Sequence, residues 1–226
     1  MNDVTRVLLV DYQGRLFSNL QSIKNNQIVL PIGPMYLSAY LKFVLNNVEV
    51  KLLKSQVDFS NEKDLLVALN EFRPDIIGIR CLSLDKNQLF KDVAYIRKCY
   101  IFDSYKIVLG GPIASSNTQE VQESELFDYV ITGEGERVFA EIVKSFKDRK
   151  EVLQNVNGIV NSEGFYTNDV IENLDDMPFP DYSLIDFTKY DQYVNYGYNR
   201  NRQGVVFTSR GCPYKCIYCH NISPTN

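Results

Sequence analysis

Five short, almost wholly apolar runs recur through the first 147 residues: 4–11, 48–53, 75–82, 105–109 and 127–132. They alternate with stretches whose apolar residues return at helical spacing. Leu37, Leu41, Val44 and Leu45 mark one such stretch, and Leu65, Leu66, Leu69 and Phe72 mark a second. Leu89, Val93 and Ile96 mark a third, and Val138, Phe139, Ile142, Val143 and Phe146 follow the last run. A strand that reads as nearly continuous Val, Ile and Leu has no solvent face, so it belongs to a parallel sheet covered on both sides. Strand–helix alternation over this length predicts an α/β fold, a doubly wound five-stranded parallel sheet of the Rossmann-like kind. Its crossovers are expected to be right-handed.

Local signals place the boundaries. Pro34 is expected at the first position of a helix, where a missing N–H costs nothing. Ser60 is expected to cap the next one, which Arg73-Pro74 ends. Residues 12–26 form a long polar loop with little periodicity, the kind that is functional or disordered. In doubly wound sheets the ligand sits outside the carboxyl ends of the strands. Gly110-Gly111-Pro112 and Gly133-Glu134-Gly135-Glu136 both fall on that edge. Glycine there lets a backbone approach a bulky ligand closely; a tight turn is the better explanation for any one glycine, but two glycine loops on one edge strengthen the case for a ligand. The loop after the first strand lacks G-x-G-x-x-G, which argues against a nicotinamide dinucleotide.

From residue 157 the pattern changes. Residues 158–167 read as a hairpin turning at Ser162-Glu163-Gly164. Residues 170–202 have neither period and read as a linker. Tyr182, Phe187, Tyr190 and Tyr193 make it too aromatic for a free tether, so it is expected to pack on something.

Near the C-terminus Cys212, Cys216 and Cys219 are spaced C-x3-C-x2-C after Val205-Val206-Phe207, a run that reads as a buried strand. Clustered thiolates select zinc, copper(I) or iron–sulfur centres. Structural zinc sites usually pair their cysteines, and the one extra ligand here, His220, adjoins Cys219. Cys216-Ile-Tyr-Cys219-His220 also matches the attachment signature of c-type haem, which requires export. An iron–sulfur cluster normally takes four cysteines, so three would leave one iron open for a substrate. Cys81 and Cys99 sit apart in apolar surroundings and read as small buried hydrophobes.

The C-x3-C-x2-C spacing behind Arg210-Gly211, with Tyr218 before the third cysteine, resembles the cluster loop of the radical S-adenosylmethionine superfamily. The resemblance implies a 4Fe–4S cluster on Cys212, Cys216 and Cys219 whose open iron chelates S-adenosylmethionine. Reduction by an external electron donor then yields methionine and a 5′-deoxyadenosyl radical. The preceding part resembles the cobalamin-binding domain of one branch of that superfamily. Leu30-Pro-Ile-Gly-Pro-Met-Tyr, Gly110-Gly111-Pro112, Thr132-Gly133-Glu134-Gly135-Glu136 and Leu174-Asp-Asp-Met-Pro-Phe-Pro-Asp181 carry that likeness, in this order. It implies cobalamin contacts at Gly33, Leu82, Ser83, Gly110, Gly111, Pro112, Thr132, Gly133, Glu134 and Glu136. Cobalamin domains that ligate cobalt from below carry D-x-H-x-x-G, whereas this chain reads Asp11-Tyr12-Gln13, and its one histidine is His220. The cofactor is therefore expected base-off, with no histidine from the protein on cobalt. Arg80 is expected to be a solvated charge at a strand end, the alternative being a contact with the cofactor tail.

The expected organisation is a cobalamin domain over 1–150, a hairpin and linker over 151–203, and the first strand and cluster loop of a barrel over 204–226. At 226 residues the chain holds one full domain and part of another. The resemblance implies methyl transfer to an unactivated carbon of a small-molecule or peptide substrate in the complete enzyme, with rearrangement or cyclisation as other outcomes. The chain by itself is expected to bind cobalamin and to be inactive, as a piece of a longer enzyme. A stand-alone cobalamin carrier or sensor, and a flavodoxin-like nucleotide binder with a zinc clip, remain as alternatives. The net charge of −4 argues against a nucleic-acid surface. No apolar run is long enough to span a membrane. The N-terminus shows no targeting segment, so a reducing, cytoplasmic address is expected.

Overall fold

The computed structural model describes residues 4–13, 29–102, 104–149, 156–160, 169–190, 204–212 and 214. The first four predicted strands form at β1 (Thr5–Tyr12), β2 (Val48–Lys54), β3 (Ile76–Cys81) and β4 (Lys106–Gly110). The fifth is shorter than its apolar run: β5 covers only Tyr129–Val130. All pairings are parallel, in the order β2-β1-β3-β4-β5. Sheet order reverses between β1 and β3, and it is at such a switch point that a crevice opens.

Both faces are covered. Leu8, Val10, Ile77 and Ile79 face a core closed by α2 (Glu62–Phe72), α3 (Lys86–Cys99), α4 (Pro112–Ser116) and α5 (Thr118–Glu123). Val7, Leu9, Ile76 and Val108 face a second core closed by α1 (Ile32–Val44) and α6 (Glu136–Lys147). This two-sided burial is why the strands read as continuous apolar runs rather than alternating ones.

Three boundaries differ from the sequence reading. Helix α1 begins at Ile32, so Pro34 lies in its third position, still within the turn whose N–H groups have no helical acceptor. The cap of α2 is Asn61, not Ser60: its side-chain oxygen accepts from the N–H groups of Lys63 and Asp64. β5 ends early because residues 156–160 take over its pairing. Ile159 bridges Ile131 in antiparallel fashion, and the Val160 N–H donates to the Val130 carbonyl. The rest of the predicted hairpin lies outside the described residues.

Residues 169–190 cross the α1/α6 face. Arg137 of α6 holds Asp169 with two 2.9 Å hydrogen bonds. Leu184 and Ile185 pack into the second core, and the short helix α7 (Phe187–Tyr190) buries Tyr190. Lys189 reaches Asp58 at 2.6 Å. The predicted packing of the linker therefore holds over residues 169–190, with Asp181 as the main fastening, while Tyr193 and the rest of the predicted linker lie outside the described residues. The Asp181 carboxylate accepts from Ser38 at 2.8 Å and from the Lys42 ammonium at 2.6 Å, and its N–H donates to the Met35 carbonyl.

Burial pushes the Asp181 carboxyl up, but the Lys42 ammonium and the Ser183 and Ser38 hydroxyls outweigh it and hold it below its ordinary 3.8. A carboxyl depressed in the fold contributes stability that is full above the unfolded value and lost as pH falls through the depressed one. Chemical denaturation should therefore show this group's full contribution, unchanged, between pH 7 and 5 and its progressive loss below about pH 4. Asp181→Asn should cost about 1–3 kcal/mol at pH 7 and make the acid limb shallower.

Candidate cofactor site at the carboxyl edge of the sheet

A cavity of about 260 Å³ opens at the carboxyl ends of the strands, between the first turns of α1 and α6. Its floor is Leu9, Gly78, Val108 and Phe139, all at the second core. Six glycines line it: Gly33, Gly78, Gly110, Gly111, Gly133 and Gly135. A Cβ on Gly33 would meet nothing within 4 Å, and one on Gly110 would meet only the Ile131 carbonyl at 4.0 Å, so both face open space. Gly111 is required on different grounds. Its φ of 83° with ψ of −170° lies where side chains are strained, and a Cβ would sit 2.9 Å from Arg80 Cγ.

The charges around the cavity are paired. Asp11, at the end of β1, is buried between Lys54 of β2 at 2.5 Å and Arg80 of β3 at 3.2 Å. Arg80 is thus neither a free surface charge nor fully withdrawn: it lines the cavity while one guanidinium nitrogen holds Asp11. On the opposite rim Arg210 donates to Glu136 at 2.7 Å, lies 3.7 Å from Glu134, and covers the Tyr36 ring at 5.1 Å. Burial works against that guanidinium's charge, but the two carboxylates prevail and raise its pKa. Phe207 stacks on Tyr36 at 5.8 Å between ring centres, and its N–H donates to the Tyr36 hydroxyl.

Of the residues inferred as cofactor contacts, Gly33, Gly110, Gly111, Gly133, Glu134 and Glu136 come together on this cavity. Leu82, Ser83, Pro112 and Thr132 do not line it. Ser83 and Pro112 are exposed beside the β3–α3 and β4–α4 junctions, where Ser83 pairs with Ser116. Thr132 is fully buried, and its hydroxyl has no hydrogen-bond partner among the described residues. Glu134 and Glu136 are already engaged: besides Arg210, Glu134 accepts the Ile171 N–H at 2.6 Å. Cys212 is half-buried, while Cys216 and Cys219 lie outside the described residues. Cys81 is buried as expected, which pushes its thiol well above the usual range and keeps it inert. Cys99 is only partly buried.

The sequence reading missed Tyr36, Gly78 and Phe139. Tyr36 follows Pro34 by two positions, which was a usable signal; Gly78 inside an otherwise apolar strand was another, because such glycines mark close approach. One expectation is overturned. Val205, Val206 and Phe207 make no strand ladder and are 38%, 44% and 45% exposed. No strand lies beside them among the described residues, and both polar backbone groups of Val205 go to the Tyr182 hydroxyl instead.

Residues 23–143 match the B12 binding domain. The chain belongs to the B12-binding domain family. It is also similar to an uncharacterised methyltransferase of Pyrococcus horikoshii, at 30% identity over 84% of this chain and 40% of that one. An anaerobic magnesium-protoporphyrin IX monomethyl ester cyclase of Cereibacter sphaeroides matches at 23% over 84% of this chain and 31% of its own length. The B12-binding chain thus spans less than half of either relative. Its fold is shared with the cobalamin-dependent S-adenosylmethionine radical enzyme OxsB, with aqua-cobalamin and S-adenosylmethionine bound (TM-score 0.60, 20% identity, 84% of this chain, 25% of that one). The radical S-adenosylmethionine methyltransferase TsrM from Kitasatospora setae, with cobalamin and a [4Fe-4S] cluster bound, covers 96% of this chain and 41% of its own at a TM-score of 0.64 and 16% identity. Among the described residues no helix is long and apolar enough to cross a membrane.

The cradle suits the cofactor of this family. Gly33 and Gly110 leave open space, the floor is apolar, and Arg80, Glu134, Glu136 and Arg210 supply polar groups at the rim. At about 260 Å³ it is slightly below the usual ligand pocket of roughly 300–1,000 Å³. No histidine lines it.

Proposed function

We propose that this chain is the cobalamin-binding front part of a radical S-adenosylmethionine enzyme. Cobalamin in the carboxyl-edge cavity and a 4Fe–4S cluster on Cys212, Cys216 and Cys219 would serve one reaction. In the longer protein that reaction is methyl transfer to an unactivated carbon of a small-molecule or peptide substrate, fed by an external electron donor. The observation that carries this reading is the position of Arg210. It lines the cavity and lies two residues before Cys212, so the cysteine run begins at the cavity rim.

The chain's own residues have separable tasks. Gly33, Gly110 and Gly111 let the backbone come close to a large ligand, and Leu9, Val108 and Phe139 exclude water from the floor. Arg80, fixed by Asp11, offers its remaining N–H groups to polar arms of the cofactor. Bound cobalamin would supply methyl-carrier chemistry there, and no histidine is among the residues that would hold it. Cys212, Cys216 and Cys219 would hold a cubane, which would supply the chemistry that reductively cleaves S-adenosylmethionine.

Anaerobic reconstitution tests this. The wild-type chain should keep cobalamin through gel filtration and take up about four irons. The triple variant Cys212→Ala, Cys216→Ala, Cys219→Ala should keep cobalamin and lose iron to background. Cobalamin without iron in the wild type would favour the stand-alone carrier. Retention of zinc in place of iron, with no cobalamin, would sink the proposal.

A further inference from the structure

Four separate stretches meet at Arg210. From the β5–α6 loop comes Glu134 and from the first position of α6 comes Glu136, the latter only 6% exposed. From α1 comes the Tyr36 ring under the guanidinium. From the linker comes residue 171, whose N–H holds the second oxygen of Glu134. The fourth is the chain's own approach to the cysteines. There Phe207 lies on Tyr36, and Val205 is bound twice by Tyr182. No ladder fixes residues 204–212, so these side chains are the described contacts that do. The contacts of Val205 and Phe207 are neutral hydrogen bonds and a ring stack at exposed positions. The Arg210–Glu136 pair is charge-assisted and mostly withdrawn from water, which makes it the strongest fastening of the group.

We propose that Arg210 is a positioning residue: its clamp on Glu136 and Glu134 sets where Cys212, the first of the three cysteines, stands relative to the cavity. Neither carboxylate then needs to touch the cofactor. The G-E-G-E loop joins the two sites by gripping an arginine from the other one. This rests on the reading above, in that the loop so placed carries the cluster and the cavity carries cobalamin. The need for arginine is specific. One planar head reaches two carboxylates while its carbon stands 5.1 Å from the centre of a ring, which a lysine ammonium cannot do at once.

The test needs no loaded cofactor. In the reduced 226-residue chain, alkylation of Cys212 by iodoacetamide is followed by mass spectrometry, with hydrogen exchange over 204–212 alongside. Arg210→Ala and Glu136→Gln should each speed both readouts about tenfold, the size expected for a lost charge-assisted hydrogen bond. The double variant should be no faster than either single one, because both remove the same contact. Arg210→Lys should fall between wild type and Arg210→Ala. Hydroxocobalamin titration of the same proteins separates the two ideas. A loosened loop in a chain that never binds cobalamin sinks the corrin reading and leaves the clamp standing. Wild-type rates in both singles, or a double variant with multiplied effects, overturns the clamp.

Discussion

Lys54→Met should destabilise the domain by about 3–5 kcal/mol, more than any other single replacement considered for this chain. Lys54 and Asp11 are each 4% exposed in their side chains and meet at 2.5 Å on neighbouring strands. Removing the ammonium leaves a buried carboxylate whose remaining cation, Arg80, stands at 3.2 Å and is 37% exposed. A half-solvated partner at that distance compensates only part of the desolvation of Asp11. The measurement is a urea titration, in which the midpoint should fall by more than about 1 M with the slope unchanged. Combining Lys54→Met with Asp11→Leu should recover most of the loss, since apolar pairs of similar volume often replace buried ion pairs at no cost. The lone Arg80 charge left behind is exposed enough to remain hydrated. A single variant as stable as wild type would show that the pair is not buried as described.

Gly78→Val should weaken cobalamin binding at least about tenfold, equivalent to ~1.4 kcal/mol. Gly78 pairs with Leu9 on one side and Val108 on the other, in the floor of the cavity. Even a bare Cβ there would lie 2.8 Å from Phe139 Cζ and 3.0 Å from Leu9 Cδ2. The Phe139 ring must swing away, and two further methyl groups then occupy the space it leaves. Overpacking of this kind also costs about 1–3 kcal/mol of stability, so binding and unfolding must be measured on the same protein. Gly110→Ala separates the two effects: its Cβ touches nothing closer than 4.0 Å, so stability should hold, while a methyl facing the cavity should weaken cobalamin binding. If Gly78→Val is less stable yet binds cobalamin normally, the cofactor lies elsewhere.

Much of the site was legible because its signals are local. Gly110-Gly111 had to lie at a strand end, since the run 105–109 could not continue through two glycines, and Gly111 does adopt a backbone that only glycine tolerates. Glu134 and Glu136, which line the cavity, were found from the same kind of signal, but their pairing with Arg210 was not. Nothing near them in the chain indicates Arg210, which is 74 residues from Glu136. Ser83 and Pro112 sit at the correct strand ends yet do not line the cavity, because the turn after a strand sends the chain to one face or the other.

The sequence alone determined the parallel sheet and its two-sided cover, because burial on both faces writes itself into every residue of a strand. It also determined which backbone positions must be bare. Only the tertiary structure decided that Asp11 is shared by Lys54 and Arg80, that the linker is fastened to α1 through Asp181, and that Val205–Phe207 is held by tyrosine hydroxyls rather than by a ladder. Those are pairings between residues far apart along the chain. Their energies depend on distance and on exclusion of water, and neither quantity exists until the chain has folded.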